Sequence, residues 1–363
     1  MIETRGLTRH FRANGTTVEA VRGIDVHVAA GELVAFLGPN GAGKSTTLRM
    51  LTTLLQPTAG TATVVGCDVV DDPAGVRRRI GYIGQGNSAA HVQRVRDEVV
   101  AQGRAYGLGR RRAAARADEV LAALGLDDLA GRLVSSLSGG QRRRLDVALG
   151  MVHRPALLFL DEPSTGLDPQ NRVNLQDEVR RLRDDHGTTL VLTTHYLDEA
   201  DALADRVVVI DHGRIIADDT PERLKSDLAG DRMALTAASA GDAAAVASAV
   251  DRTGAAQHVE VRGGTVTGRV RGGAGLLPSL LRDLAAAGVG LAAAEVARPT
   301  LDDVFLALTG RSLRDGGEAV EPDATGTPPG PAHDPAAGTP PGPGDDPAAH
   351  PDPIAALTME HAS

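Results

Sequence analysis

The sequence predicts an α/β protein followed by a small α+β part and a tail that builds no core. Three observations lead there. Up to about residue 220, short apolar runs alternate with helix-period segments, the pattern of a sheet covered by helices. From about 231 to 310 the order becomes strand, helix, strand, strand, helix, strand, with a short helix to close. From about 311 the chain is rich in Pro, Gly, Ala and Asp.

In the first region "ELVAFL" (32–37), "ALLFLD" (156–161), "TTLVLTTH" (188–195) and "RVVVID" (206–211) read as buried strands. Each is a continuous apolar run of strand length. Residues 44–55, 139–152, 169–185 and 196–203 read as helices. "LDPQ" supports the third start, with Asp168 as N-cap and Pro169 at the first helical position. In the second region "RMALTAA" reads as a strand, "GDAAAVASAVDRT" as a helix and "QHVEVRGGTVTGRV" as a hairpin turning at Gly263-Gly264. "LLPSLLRDLAAAG" is a second helix, "VGLAAAEVA" a last strand, and "TLDDVFLALTG" the closing helix. The order β-α-β-β-α-β suits a small ferredoxin-like sandwich. The expected divisions are 2–230, 231–310 and 311–363.

The third region repeats itself, "GTPPGPAHDPAA" at 326–337 and "GTPPGPGDDPAA" at 338–349. Turn formers in this density bury no core, so a disordered acidic tail is expected. The net charge of −9 belongs to that tail. Residues 315–363 hold nine acidic and no basic side chains, while 1–314 carry as many basic as acidic ones. Nothing in the folded part has the basic footprint of a nucleic-acid binder.

Hydrophobic residues make up 42% of the chain, enough for a real core. No apolar run approaches the ~18–20 residues of a membrane span. "MIETRGLTRH" lacks the apolar centre of a signal peptide, so a soluble, cytoplasmic protein is expected. Cys67 is the single cysteine, which excludes an internal disulfide and a cysteine-built zinc site. Its setting, "TVVGCDVV", reads as core.

Two helix starts carry chemistry. "GPNGAGKST" (Gly38, Pro39, Asn40, Gly41, Ala42, Gly43, Lys44, Ser45, Thr46) follows a strand and opens a helix, the context of a phosphate-binding loop. Its glycines let backbone N–H groups cradle phosphates; Lys44 would reach the β- and γ-phosphates, and Ser45 would hold Mg²⁺. Of 38 cationic side chains only Lys44 and Lys225 are lysines. A lysine where arginine is the rule points to a site that needs a compact ammonium. The second start, "SLSGGQRRRLDVALG" at 136–150, is also built to hold an anion, with N–H groups and the positive end of the helix dipole at Ser138-Gly139-Gly140. The following "RRR" (142–144) reads as a solvated helix face or as added positive field.

"LLFLDEP" (157–163) ends an apolar strand in two carboxylates. Asp161 would bind Mg²⁺ through water, and Glu162 would sit beside the γ-phosphate. Adjacent strand residues point to opposite faces, so the chain has to turn at that point for both to reach one site. Gln85 in "GYIGQG" and His195 after "TTLVLTT" each end a strand, where ligands of open α/β sheets bind.

The phosphate loop, Gln85, "LSGGQ" (137–141), "FLDEP", "STGLD" (164–168) and His195, in that order, resemble an ABC-type ATPase cassette over residues 2–220. "LSGGQ" placed about twenty residues before "FLDEP" makes the resemblance specific. It implies a RecA-like mixed sheet core with a helical subdomain, and ATP and Mg²⁺ as cofactors. It implies Glu162 as catalytic base and His195 as a switch contacting the γ-phosphate. Gln85 would sense Mg²⁺ and the attacking water and relay to a membrane partner, and Phe11 in "RHFRANG" would stack on adenine. Cassettes of this kind pack head to tail, so Ser138, Gly139, Gly140 and Gln141 of one chain would meet the ATP held by the other. The two anion-binding helix starts would then serve one nucleotide from opposite sides.

Residues 231–311 resemble the C-terminal part of ATPases in the daunorubicin-resistance type of drug exporter. The stretch after Gln85, "GNSAAHVQRVRDEVVAQGRAYGLG", is more polar and arginine-rich than that family leads one to expect. The resemblance implies an ATP-bridged homodimer at the inner face of the membrane. It would drive efflux of a small hydrophobic or drug-like compound through separately encoded permease subunits, with no nucleic acid bound. The competing class is a soluble ABC-type ATPase acting on ribosomes or nucleic acid. One cassette in the chain, with no cysteine pair or heptad run between Lys44 and Ser138, speaks against it. A nucleotide-binding regulator without turnover is disfavoured by the joint presence of Glu162, Gln85 and His195.

Overall fold

The computed structural model describes residues 1–310 apart from 14, 87, 88, 90 and 91; the expected tail, 311–363, lies outside the described residues. The chain opens with β1 (Ile2–Ala13), β2 (Thr16–Ile24), β3 (His27–Val28) and β4 (Leu33–Leu37). Then come α1 (Lys44–Leu51), β5 (Ala59–Val64), β6 (Cys67–Asp68), α2 (Pro73–Arg79) and β7 (Ile80–Ile83). Strands β1, β2, β3, β5 and β6 make one antiparallel sheet. Cys67, on β6, is buried with the apolar residues of that layer. Helix α1 stops four residues short of the expected 55. Thr53 takes φ 62, and the amides of Leu54 and Leu55 both turn back to the Arg49 carbonyl at 2.8 and 3.0 Å. That turn satisfies a terminal carbonyl and ends the helix.

Three helices follow, α3 (Val95–Ala105), α4 (Arg110–Ala123) and α5 (Gly139–Met151), packed on one another between β7 and β8 (Leu157–Asp161) in the chain. After β8 come α6 (Pro169–His186), β9 (Thr189–Thr194), α7 (Leu197–Leu203), β10 (Arg206–Asp211) and β11 (Arg214–Asp219). Asp168 caps α6 by accepting from the Asn171 amide at 2.8 Å, with Pro169 at the first helical position. The central sheet runs β11-β10-β4-β9-β8-β7; all pairs are parallel except β10–β11. Period-two alternation splits β4 between two cores. Leu33, Ala35 and Leu37 join the helical layer, while Val34 and Phe36 join α1 and the antiparallel sheet. Strand β4 lies between β10 and β9, so its carboxyl end opens into the crevice where such sheets bind ligands.

A short helix α8 (Pro221–Leu224) leads to β12 (Asp231–Ala237), α9 (Ala243–Arg252), β13 (Ala256–Arg262), β14 (Thr265–Val270), α10 (Gly273–Ala286) and β15 (Leu291–Ala297). The four strands form an antiparallel sheet ordered β13-β14-β12-β15. Beneath α9 and α10 it buries a separate core that includes Met233, Leu235, Val246, Val266 and Leu280. The last helix, α11 (Leu301–Thr309), leaves that core. Leu301, Val304 and Phe305 are buried with Ala200, Leu203 and Leu224 in the helical-layer core of the first part.

Candidate active site

The loop between β4 and α1 is shaped by its glycines. A Cβ on Gly38 would overlap the Ile210 carbonyl oxygen, and Gly43, at φ 104, would meet the Ala20 carbonyl. Only glycine fits both positions. Gly41 has open space around it and Asn40 is exposed at the loop tip, so the cradle faces outward. Lys44 is buried at the first turn of α1, where helix N–H groups have no partner within the helix. Its ammonium donates to the carbonyls of Gly38 at 2.7 Å and Pro39 at 2.9 Å, and lies 3.8 Å from Glu162 Oε1. Ser45 and Thr46 follow, half-buried.

Asp161, at the end of β8, is fully buried. Its Oδ1 accepts from Ser45 Oγ at 2.8 Å and from Thr193 Oγ1 at 2.7 Å; its Oδ2 accepts from the Tyr82 hydroxyl at 3.4 Å. Gln85 Nε2 donates to Ser45 Oγ at 3.4 Å. Ser45, Asp161 and Gln85 bring together an oxygen-rich donor set from three separate segments, of the kind hard divalent cations prefer. The described residues hold no cluster of three His, Cys, Asp or Glu able to cage a metal by themselves. A cation here would complete its shell with phosphate and water, the habit of Mg²⁺. Burial, then the charge of Asp161, pushes the Tyr82 hydroxyl pKa above its ordinary value.

The chain does turn after β8. Glu162 takes φ 47, a left-handed conformation rare outside glycine. Its amide donates to the Thr193 carbonyl at 3.1 Å and to Thr193 Oγ1 at 3.0 Å. The turn aims Glu162 at Lys44 and at His195, whose Nδ1 lies 3.5 Å from Oε2, while Thr165 Oγ1 donates to Oε2 at 3.3 Å. Burial pushes the Glu162 carboxyl up, but the facing His195 and the Lys44 charge outweigh it. The pKa ends below the ordinary glutamate value, and the group is ionised at neutral pH.

Ser138 caps α5 through a capping box: its amide donates to Gln141 Oε1 at 3.0 Å and its Oγ accepts from the Gln141 amide at 3.3 Å. Among the described residues the side chains of Ser138 and Gln141 each bond to the other's backbone amide and to no member of the set above. A Cβ on Gly139 would meet nothing within 4 Å, whereas one on Gly140 would overlap the Asn171 side chain. Phe11 is exposed on β1 opposite Val18 of β2, with the Arg9 guanidinium 4.8 Å from its ring centroid.

Three participants escaped sequence reasoning. Thr193 and Tyr82 reach Asp161 from the flanking strands, and nothing local marks them, because each is an ordinary strand residue. The third is Arg143. The "RRR" segment is not a uniform solvated face: Arg143 is buried, and its Nε and Nη1 donate to the carbonyls of Pro163 at 2.7 Å and Gly84 at 2.8 Å.

Residues 21–165 match the family model described as ABC transporter. The chain is 52% identical over 234 residues to the daunorubicin/doxorubicin resistance ATP-binding protein DrrA of Streptomyces peucetius, covering 64% of this chain and 69% of that one. It is 44% identical over 296 residues to the daunorubicin resistance ATP-binding protein DrrA3 of Streptomyces coeruleorubidus, covering 82% and 93%. Among solved structures it resembles the ATP-binding cassette MJ0796, described as a dimeric post-hydrolysis state bound to ADP and Pi. The TM-score is 0.56 at 23% identity, over 61% of this chain and 98% of that one, a likeness of fold.

Proposed function

Since this chain belongs to the ATP-binding proteins of ABC transporters, in the daunorubicin-resistance family, we propose that it is the ATP-hydrolysing subunit of a membrane exporter. It would work as a homodimer around two ATP molecules, with separately encoded permease subunits and a small hydrophobic or drug-like cargo. The relatives named above carry resistance names, which favours export over action on ribosomes or nucleic acid. No described helix is long and apolar enough to cross a membrane, so the spanning part is assigned to another chain and this one to the inner face of the membrane.

The observation that carries the hydrolytic reading is the convergence of Lys44, Ser45, Asp161, Glu162 and His195 at the carboxyl ends of β4, β8 and β9. The loop amides and Lys44 bind and orient the phosphates. Lys44 already points into the cradle, held by Gly38, Pro39 and Glu162, contacts that phosphate oxygens would take over. Ser45, Asp161 and Gln85 would hold Mg²⁺, which neutralises phosphate charge when bound. Glu162, kept ionised by His195 and Lys44, accepts the proton of the attacking water. His195 faces the same carboxylate and would contact the γ-phosphate. Phe11 is assigned to the adenine, with its ring exposed on β1.

Service to one nucleotide in trans would leave the side chains of Ser138 and Gln141, which bond each other's backbone amides, without a bond to the phosphate loop of their own chain. Glu162→Gln should bind ATP with near-wild-type affinity, hydrolyse it very slowly and dimerise with ATP and Mg²⁺. Gly139→Asp in that background should bind nucleotide as a monomer and fail to dimerise. Open space at Gly139 lets the new side chain fit the free subunit, while its charge would face the partner's γ-phosphate. At ~4 Å two like charges repel by about 1 kcal/mol even in bulk water. Size-exclusion chromatography with light scattering reads both species. Dimerisation of the double variant equal to Glu162→Gln would overturn the trans assignment, and loss of nucleotide binding by the monomer would place both motifs in one cis site. An ATPase rate for Glu162→Gln within threefold of wild type would remove it as the base.

A further inference from the structure

We propose that Arg143 is a positioning residue for hydrolysis, holding the backbone beside Gln85 and the backbone beside Glu162 in one fixed spacing. The two carbonyls it binds come from segments far apart in the chain. Gly84 immediately precedes Gln85, and Pro163 immediately follows Glu162. A guanidinium is planar and donates in fixed directions, so two carbonyls on one arginine are held at a set separation. A lysine ammonium is a point donor on a flexible stem and imposes no such geometry.

Both clamped segments need external support. Glu162 sits in a backbone conformation that persists only where its surroundings over-determine it. Thr193 fastens the amide side of that turn, and Arg143 fastens the carbonyl of the next residue. Gln85 lies between Gly84 and Gly86, a segment with high intrinsic backbone freedom. Its amide side chain reaches Ser45 at 3.4 Å, a contact that depends on where this backbone stands.

The neighbouring arginines show that the arrangement is particular to one of the three. Arg142 donates to the Val134 carbonyl, while Arg144 donates to the Leu124 carbonyl and faces Glu178. Among the described residues, Arg143 is the member of the triplet that reaches the site. It is compensated from within, with Asp146 one turn along α5 at 3.8 Å and the carboxylates of Asp161 and Glu199 facing it. Arg143 also sits on the helix that Ser138 opens. It therefore ties the hydrolytic residues of one site to the surface offered to the other.

This rests on the assignment of Gln85 and Glu162 to hydrolysis, and the test separates the two. In the full chain, Arg143→Lys keeps the charge beside Asp146 but loses the planar fork that sets the separation of the two carbonyls. A fluorescent ATP analogue should bind within threefold of wild-type affinity and KM should stay within threefold. The kcat, expressed per bound nucleotide so that unfolded molecules do not contribute, should fall at least tenfold. Arg143→Gln combined with Asp146→Asn removes both charges together and leaves no uncompensated partner in that pair; it should show the same loss. Amide exchange should quicken in peptides covering 84–86 and 162–165 of Arg143→Lys and stay unchanged in α9. A kcat within twofold of wild type in either variant, or unchanged exchange at both segments, overturns the proposal. Glu162→Gln is measured alongside. If it is silent while Arg143→Lys turns over normally, the Arg143 role alone fails; if it turns over normally, the active-site assignment fails and this proposal with it.

Discussion

On α6, Glu178 lies 3.7 Å from Arg144 Nε, yet burial pushes its pKa up to about 7. Arg144 and Arg181 pull the other way without prevailing, and Asp177 adds to the rise. The folded state thus holds this proton up to about pH 7, while the unfolded chain releases it near the ordinary value of 4.5. Between those limits the folded form binds more protons, so stability falls as pH rises. Glu178→Gln keeps the shape and removes the ionisation. It should gain on the order of 1–3 kcal/mol at pH 8, about 3–6 °C in Tm, shrinking severalfold by pH 5. Thermal melts at the two pH values check this; an equal gain at both would mean that ionisation is not the cause. Glu162 has the opposite sign, with its depressed pKa stabilising above the ordinary glutamate value and that contribution fading as pH falls through the folded one.

Among the elements, α11 has the least expected place. It follows the small antiparallel sheet in the chain but buries Phe305, Val304 and Leu301 in the core of the first part. Thr300 caps it in a box with Asp303, and Asp303 also takes a 2.6 Å ion pair from Arg269 on β14. One short helix therefore fastens the small sheet to the larger part. Phe305→Ala should cost about 3–5 kcal/mol, the usual range for emptying a buried phenylalanine site. Leu306→Ala, on the exposed side, should stay within about 0.5 kcal/mol. Denaturant unfolding of the two variants reads the difference, and equal losses would show that α11 does not pack through Phe305.

At the scale of the whole molecule, charge and chemistry are segregated along the chain. Residues 1–314 are balanced, and the excess of nine acidic groups belongs to 315–363. Every motif assigned above to nucleotide binding and hydrolysis lies before residue 200. Removing 315–363 should therefore leave basal ATPase and Tm unchanged while the protein elutes earlier from an anion exchanger. A Tm drop of several degrees would show that the segment packs on the body.

The sequence by itself determined the features whose residues are neighbours in the chain. The glycine-rich loop opening a helix after β4, the helix start at Ser138-Gly139-Gly140 and the Asp168-Pro169 helix start are local, because backbone conformation and short-range hydrogen bonds depend on residue types a few positions apart. The demand for a turn after Asp161 was legible too, since two adjacent carboxylates could reach one site only if the strand ended. What the tertiary structure alone decided is which distant groups complete those features. Nothing in "RRR" distinguishes the arginine that is buried from the two beside it; the carbonyls of Gly84 and Pro163 make that choice from other segments. The same holds for Thr193 on Asp161 and for α11 on the first core. Burial and hydrogen-bond satisfaction are properties of whatever packs opposite, and sequence spacing carries no record of that.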